Sequence, residues 1–302
     1  MGGIDPILVS VLSPIFNESK HLEEMIASVR AQSHANFELI LVDDGSTDDT
    51  VTKARLAQSL DPRIRVIDEG KLGKVGAFNR AFAESTGDVI VLMGGDDVMP
   101  PESLAVRADA VRQAVAGGAQ RVAVFARLQT MSENRKFDGQ LIPRSRRKGA
   151  RSGGTLALSR ELARVAFPIP QRLVAEDLWI GGIAGALADA IVDLPDVVLR
   201  YRIHDGNSNP RNRDFATMTE AMHARMLAYR LLAEVPVLAV PAEPRRRFQV
   251  LAELEERRHA GDLFGLLAHS EARLTDKLRA ASMATPLLFQ LRTSLFRLFS
   301  GW

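Results

Sequence analysis

Apolar and polar positions change period along the chain in a regular way. Short apolar runs of four to seven residues alternate with longer stretches in which apolar residues recur every three or four positions, the signature of strands alternating with amphipathic helices. Ile7 to Leu12 forms the first run and stops at Ser13 and Pro14; Leu22, Met25, Ile26 and Val29 then predict a helix from about Lys20 to Gln32. Phe37 to Val42 predicts a second strand that runs into Asp43, Asp44, Gly45, Ser46 and Thr47, and a helix begins from Thr47, with Asp48 and Asp49 in its first turn, where the helix dipole favours negative charge. Arg63 to Ile67 reads as a third strand, and the loop from Glu69 to Lys74 leads into a helix reaching Ser85, which Gly87 is expected to cap. Asp88 to Met93 is a buried strand ending at Gly94, Gly95, Asp96 and Asp97.

A helix over Glu102 to Val115, a strand over Arg121 to Leu128 and a long basic loop from Ser132 to Gly154 follow. Thr155 to Ser159 then reads as a strand, Ala175 to Leu187 as a helix and Ala190 to Tyr201 as a strand containing Pro195. After about Phe215 the pattern is helical throughout. The expected architecture is α/β: a doubly wound, mostly parallel sheet with helices on both faces over residues 1–214, and a C-terminal helical region over residues 215–302. The last helix carries Leu287, Leu288, Leu291, Leu295, Phe296, Leu298, Phe299 and Trp302 with Arg292 and Arg297. Such a cationic amphipathic helix packs on the catalytic domain or docks on an anionic membrane surface, and both readings stay open.

Composition narrows the chemistry. The chain of 302 residues has no cysteine, which excludes disulfides, thiolate nucleophiles and cysteine-held zinc or iron–sulfur centres, so any metal must sit on oxygen or imidazole. Lys and Arg number 39 against 37 Asp and Glu, a balance unsuited to a dedicated nucleic-acid binder. No run is long and apolar enough to cross a bilayer, and no signal peptide is visible at the N-terminus, so a cytoplasmic location is expected, with peripheral contact at the inner face of the membrane as an option.

In an open α/β sheet, ligands bind beyond the C-terminal ends of the strands. Three polar clusters fall there: Asn17 with Glu18, Asp43 with Asp44, and Asp96 with Asp97. Adjacent carboxylates raise each other's pKa, and a hard divalent cation removes that cost. Mg²⁺ or Mn²⁺ takes carboxylate and water oxygens and commonly keeps substrate phosphates as further ligands, so a diphosphate-bearing substrate is the natural partner. A solvated turn or a helix cap before Pro100 is the alternative for Asp96 and Asp97.

The segments VSVLSPIFNES, LILVDDGSTDDT, GKVGAFN, TGDVIVLMGGDDVMP and AEDLW, in that order between about Ile7 and Asn209, resemble the family 2 inverting glycosyltransferases with the GT-A fold. The resemblance implies that Pro14, Phe16, Asn17 and Glu18 line the nucleotide pocket, that Asp44 accepts the uracil imide proton, and that Lys74 and Asn79 face the donor. It implies that Asp96 faces the ribose and metal and that Asp97 is the principal ligand of a Mn²⁺ or Mg²⁺ on the diphosphate. Many members have a further acid where this chain has Gly94, and the QxxRW motif of polymer-extruding members is absent.

By the same resemblance Asp177 is the general base and Glu176 orients the acceptor or the loop, although two acids at a helix start also simply suit the dipole. His204, in YRIHDGNSN, is either a packed histidine or a group at the metal or diphosphate, with Asn207 and Ser208 on the loop beside it. Arg144, Arg146, Arg147, Lys148 and Arg151 form a solvated basic loop, meet a phosphate on an acceptor such as a lipid-linked diphosphate, or help hold the donor. The implied function is transfer of one sugar from a nucleoside diphosphate sugar, UDP favoured, to a carbohydrate or lipid-linked acceptor hydroxyl in surface polysaccharide or glycolipid synthesis. A non-catalytic nucleotide-sugar-binding protein is the alternative from another class. A haloacid dehalogenase-type phosphatase fits less well, because Asp43 and Asp44 are adjacent and Val42 stands where its nucleophile belongs; a Gly-x-Gly-x-x-Gly dinucleotide site is missing.

Overall fold

The structure is a computed structural model that describes residues 7–145, 147–204, 214–234 and 239–300. It resolves into two compact units, one comprising residues up to Arg172 with Ile183–Ile203, the other Leu173–Gly182 with the residues from His204 onward.

The first unit is built on one sheet. In chain order it contains β1 (Val9–Ile15), α1 (Leu22–Arg30), β2 (Phe37–Asp43), α2 (Thr50–Leu60), β3 (Ile64–Asp68), α3 (Gly73–Glu84), β4 (Val89–Leu92), α4 (Ser103–Ala116), β5 (Val122–Met131), β6 (Leu141–Ile142), β7 (Leu156–Ser159) and α5 (Arg160–Ala166). After α6 (Asp177–Leu187), whose first turns group with the second unit, β8 (Ala190–Arg202) completes the sheet. The order is β3-β2-β1-β4-β7-β5-β6, with β8 paired to β5. β1, β2, β3 and β4 run parallel, as do β5 and β8, while β7 runs antiparallel between β4 and β5 and β6 antiparallel beside β5. The mostly parallel sheet and the helical C-terminal region match the expected fold class.

Burial on both faces explains the near-continuous apolar strands. On one face Val9, Val11, Leu39 and Leu41 pack with Leu22, Met25 and Val29 of α1 and Leu104 and Val111 of α4 in a single cluster. α3 lies against β1 and β2 from the other side, burying Val75, Ala77, Phe78 and Ala81. Pro195 is tolerated in β8 because the register between β5 and β8 jumps from Phe125↔Asp193 to Arg127↔Val197, so the proline falls at a bulge and needs no ladder N–H.

Four sequence expectations change. Gly87 is not the cap of α3, which ends at Ser85; a Cβ on Gly87 would lie 2.6 Å from Ser10 Oγ and 2.7 Å from both Leu8 O and Ser10 N, so the glycine is required by close approach to β1. α2 starts at Thr50, not Thr47, because the Asp48 carboxylate accepts from the Thr50 N–H and from Ser19 N and holds the preceding residues in a turn. α5 was absent from the sequence reading, although Ser159, whose hydroxyl accepts from Leu162 N, and Glu161 in the first turn mark its start. The loop expected over Ser132 to Gly154 holds the two-residue strand β6.

The second unit is helical beyond residue 214: α7 (Phe215–Glu234), α8 (Ala242–His259), α9 (Leu263–Ala268), α10 (Leu274–Ala281) and α11 (Pro286–Ser300). α7 and α8 pack as a pair, with Tyr229 stacked on Phe248 at 6.1 Å between centroids. Gly182 of α6 admits Leu232 and Phe248, since a Cβ there would lie 2.3 Å from Leu232 Cδ1. A smaller core of Val250, Leu254, Leu266, Ala272 and Ala284 ties α9 and α10 to α8. Among the described residues no helix is long and apolar enough to cross a membrane.

Candidate active site

The strand ends of the first unit bring the predicted acidic clusters onto one edge of the sheet. β1 is flanked by β2 and β4, and their registers place Ile15 beside Asp43 and Leu12 beside Leu92, so the residues following all three strands emerge together. Beyond β1 the chain turns at Asn17, which has φ +53°, the single positive φ outside glycine among the described residues. Asparagine is among the side chains that tolerate this region, and here it is held by the loop after β2: Asn17 Oδ1 accepts from Thr47 N at 2.8 Å, and Asn17 N donates to Ser46 Oγ at 2.9 Å. Glu18 N donates to Thr50 Oγ1 at 2.8 Å, so the β1 and β2 loops are knitted to each other. Pro14 is part of β1 beside Val42, while the ring of Phe16 is 45% exposed with Lys71 Nζ 5.2 Å from its centroid.

The two acids at the end of β2, Asp43 within it and Asp44 just past it, have different work. Asp43 is buried and its Oδ2 accepts from Gly45 N and Ser46 N, both at 2.9 Å, closing the turn that Gly45 enters at φ +84°. Asp44 Oδ1 accepts from Leu72 N and Gly73 N, both at 2.6 Å, so one oxygen of this predicted base-binding residue anchors the entry to α3. Lys74 follows on the exposed first turn of α3, 5.9 Å from the Phe78 ring. Asn79 is engaged from both ends: its Nδ2 donates to Ile169 O at 2.8 Å and its Oδ1 accepts from Ile169 N at 2.7 Å.

Asp97 is 4% exposed, with Asp96 half-buried beside it. Burial first, then the charges of Asp96 and Glu18, pushes the Asp97 carboxyl well above the usual carboxylate range; the Arg202 N–H, which donates to Asp97 Oδ1 at 2.9 Å, and the Arg202 guanidinium pull the other way. Glu18 is pushed up to about 7, by burial first and then by Asp96 and Asp48, with Arg202 again opposing. Arg202 is therefore the organising cation of this cluster. Its Nε donates to Asp96 O at 2.7 Å and its Nη2 pairs with Glu24 at 2.5 Å, while Val98 and Arg200 exchange backbone hydrogen bonds at 3.1 and 2.8 Å and hold the acidic turn to β8. Sequence reasoning missed Arg202, although it stands inside the YRIH string already singled out.

Gly94 has its own geometric reason. A Cβ there would lie 2.7 Å from Asp96 Oδ1 and 3.1 Å from Asp97 Oδ2, so the side chains of the pair occupy the space an added acid would need. At Gly95 a Cβ would lie 2.9 Å from Glu18 Cγ, which shows how closely Glu18 approaches the acidic turn. Among the described residues no group of three His, Cys, Asp or Glu side chains is arranged to hold an ion alone. Two carboxylates completed by substrate phosphate are nevertheless a common Mg²⁺ arrangement, and an all-oxygen pair whose buried member, Asp97, is pushed up by its surroundings suits a hard cation.

The second unit holds Glu176, Asp177 and His204, and the basic loop belongs to the first. Glu176 is buried immediately before α6 and its carbonyl accepts from Ile180 N at 2.9 Å. Asp177 opens α6 with Oδ2 in an ion pair with Arg225 of α7 and Oδ1 accepting from Leu178 N at 2.9 Å. Arg225 carried no signal in the sequence, being 48 residues away in an otherwise ordinary helix. His204 is half-buried just past β8, whereas Asn207 and Ser208 lie outside the described residues. In the basic loop Arg144, Arg147 and Lys148 are exposed and Arg146 lies outside the described residues. Arg151 instead pairs with Asp193 at 3.2 Å and stacks 3.7 Å over Phe125, a fastening of the loop to the sheet.

Comparison with known proteins bears on the family and the fold. The family model for glycosyl transferase family 2 matches residues 10–162, just over half of the chain. An uncharacterized glycosyltransferase of Nostoc sp. is 38% identical over 99 residues, 32% of this chain and 30% of that protein. Glycosyltransferase GlyG of Streptococcus pneumoniae is 37% identical over 93 residues, 30% of this chain and 31% of its own, and a dolichol-phosphate mannosyltransferase of Pyrococcus furiosus is 38% identical over 106 residues, 34% and 30%. The matched segments thus span less than a third of each of these relatives. Two solved structures share the fold over nearly the whole chain: S. aureus TarS, TM-score 0.61 at 17% identity over 95% of this chain and 53% of that one, and mannosyltransferase PcManGT from Pyrobaculum calidifontis in complex with GDP-Man and Mn2+, TM-score 0.60 at 19% identity over 99% and 84%. With the strand-end acids in place and the family model spanning them, this chain belongs to glycosyl transferase family 2.

Proposed function

We propose that the protein transfers one sugar, with inversion, from a nucleoside diphosphate sugar to an acceptor hydroxyl. The observation that carries this reading is the buried Asp97 beside Asp96, with Glu18 from the turn after β1 close by: burial and the neighbouring carboxylates push the carboxyls of Asp97 and Glu18 up, a cost that a cation removes. Asp97, assisted by Asp96, would hold Mn²⁺ or Mg²⁺, with His204 as a further candidate ligand; when bound, such an ion neutralises charge on a diphosphate. The exposed Phe16 ring with Lys71 near it offers an apolar face for a base, and the second oxygen of Asp44 offers an acceptor for an imide N–H. Uracil meets both requirements, and a TarS fragment of S. aureus has been solved with UDP-GlcNAc, at TM-score 0.60 and 17% identity over 94% of this chain and 84% of that one.

Asp177 is the proposed general base. Its carboxylate takes the acceptor proton as the acceptor oxygen bonds to the anomeric carbon and the bond from that carbon to the diphosphate oxygen breaks. Arg225 fixes the rotamer of Asp177 and Glu176 supports the start of α6, so both serve as positioning residues. Asn79 acts through Ile169, whose backbone it holds. The acceptor belongs to surface polysaccharide or glycolipid synthesis in this reading.

The test pairs binding with turnover. Nucleoside diphosphates with and without Mn²⁺ are screened for a rise in melting temperature, and nucleoside diphosphate release from matching donors is then followed in the parent, Asp97→Asn and Asp177→Asn. Asp97→Asn is expected to lose about two to three orders of magnitude in turnover, the size of one preorganised electrostatic interaction. Asp177→Asn is expected to keep donor binding and lose transfer. A loss below about tenfold in Asp97→Asn refutes its role, and donor binding with no turnover in the parent, across acceptors, would favour a binding protein instead.

A further inference from the structure

We propose that the outer face of α9, α10 and α11 docks on an anionic phospholipid surface. Phe264 is 85% exposed, and Leu267, Leu274, Leu278, Leu287 and Leu291 are 51%, 68%, 54%, 74% and 55% exposed. They are not scattered. Phe264 and Leu267 are three apart on α9, Leu274 and Leu278 four apart on α10, and Leu287 and Leu291 four apart on α11, so each pair shares one helix face. Lys277 Nζ donates to Leu267 O at 2.9 Å, which brings the Leu274 and Leu278 side of α10 against the end of α9.

The opposite faces of the same helices are spent on the fold. Leu266 of α9 is buried in the small core with Val250 and Leu254 of α8, Ala280 and Ala281 of α10 pack half-buried against that core, Phe289 of α11 lies 5.9 Å from Phe215 of α7, and Arg292 donates to Ser282 Oγ at 2.8 Å. The exposed leucines therefore remain after the packing among the described residues, where an isolated exposed leucine would need no explanation.

Charge identifies what covers them. Of the three acids of this region, Glu271 and Asp276 are neutralised from α8, by Arg246 and Arg247, and Asp262 caps α9 by accepting from Gly265 N at 2.8 Å. Arg273, Lys277 and Arg279 form no ion pair among the described residues, and Arg279 lies near enough to Arg292 to help burial lower the pKa of that guanidinium. An apolar face bordered by uncompensated cations, on helices too short to cross a bilayer, matches a lipid interface in which leucines enter the acyl boundary and arginines meet phosphate headgroups. A second copy of the chain presented face to face would bring the same cations together, so self-association is disfavoured.

Co-sedimentation of the full chain with vesicles tests this. Binding is expected to vesicles of phosphatidylcholine and phosphatidylglycerol in equal parts, to fall with added salt, and to be at least tenfold weaker to phosphatidylcholine alone. Arg273→Gln with Arg279→Gln should lower partitioning about fivefold for each charge removed. Leu274→Gln with Leu278→Gln should lower it about tenfold for each leucine, at an unchanged melting temperature, because neither side chain is part of the core. Leu56→Gln, an equally exposed leucine of α2, should bind like the parent. Equal binding to neutral and anionic vesicles, no binding to either, or a dimer in solution that the leucine pair abolishes would each overturn the proposal; if the leucine pair melts early, the arginine pair still decides it.

Discussion

Replacing Gly94 by alanine separates the geometry of the acidic turn from the stability of the fold. The added Cβ would sit 2.7 Å from Asp96 Oδ1 and 3.1 Å from Asp97 Oδ2, with Asp97 Cγ at 3.6 Å, so at least one carboxylate has to move by several tenths of an ångström or more. Both colliding atoms are ends of side chains, not backbone, and no positive φ is needed at Gly94, so relief by rotation about χ costs only about 0.5–1.5 kcal/mol. Melting temperature should fall by only a few degrees. Function should fall much further, because Asp97 Oδ1 is held by Arg202 N and its carboxylate cannot turn without breaking that bond, and a misplacement near 1 Å at a reacting site costs up to about a hundredfold. The assay is nucleoside diphosphate release with a Mn²⁺ titration, run beside a thermal melt. Gly94→Ala with turnover and metal response within twofold of the parent would refute the reasoning, as would a collapse in melting temperature, which would mean that the backbone itself had been displaced.

Three further outcomes follow from the packing. Gly87→Ala should destabilise the protein by several kcal/mol, because the new Cβ meets Leu8 O and Ser10 N at 2.7 Å and backbone cannot rotate away; chemical denaturation measures it, and a change under 1 kcal/mol would remove close approach as the reason for this glycine. Asn79→Ala leaves both backbone groups of buried Ile169 without their partners and should cost about 2–4 kcal/mol in the same experiment, whereas a residue that only contacts donor would leave stability unchanged. Asp61, buried against Arg63 and Arg30, has its pKa lowered from 3.8 to about 2, first by the Arg63 side-chain hydrogen bonds. A depressed pKa stabilises the fold above the unfolded value and loses that contribution as pH falls through the folded one. Between about pH 4 and pH 2 the parent should therefore lose on the order of 2 kcal/mol that Asp61→Asn does not, measured by denaturation across that window.

Much of the fold was legible because strands and helices are written in nearest-neighbour periodicity. The runs at Phe37 to Val42 and Asp88 to Met93 lie within a residue or so of β2 and β4, and the helical spacing of Leu22, Met25, Ile26 and Val29 describes the buried stripe of α1. Boundaries that depend on a side chain bonding its own backbone were misplaced, as at Asp48, and the seven-residue α5 was too short to build a periodic signal. Gly87 looked like a helix cap because it follows a helix, yet its neighbour in space is a strand 77 residues earlier.

The sequence by itself determined the alternation of elements, the absence of thiol chemistry, and the placing of Asn17, Asp44, Asp96 and Asp97 just after strands, since each of these depends on residue identity and short-range order. Only the tertiary structure decided which distant groups meet those acids: Arg202 reaches Asp97 across 105 residues, Asn79 reaches Ile169 across 90, and Arg225 reaches Asp177 across 48. Such pairings are set by sheet order, register and helix packing, in which many residues act together, and the shifted proton affinities of Glu18 and Asp97 arise from the burial and crowding that this assembly produces.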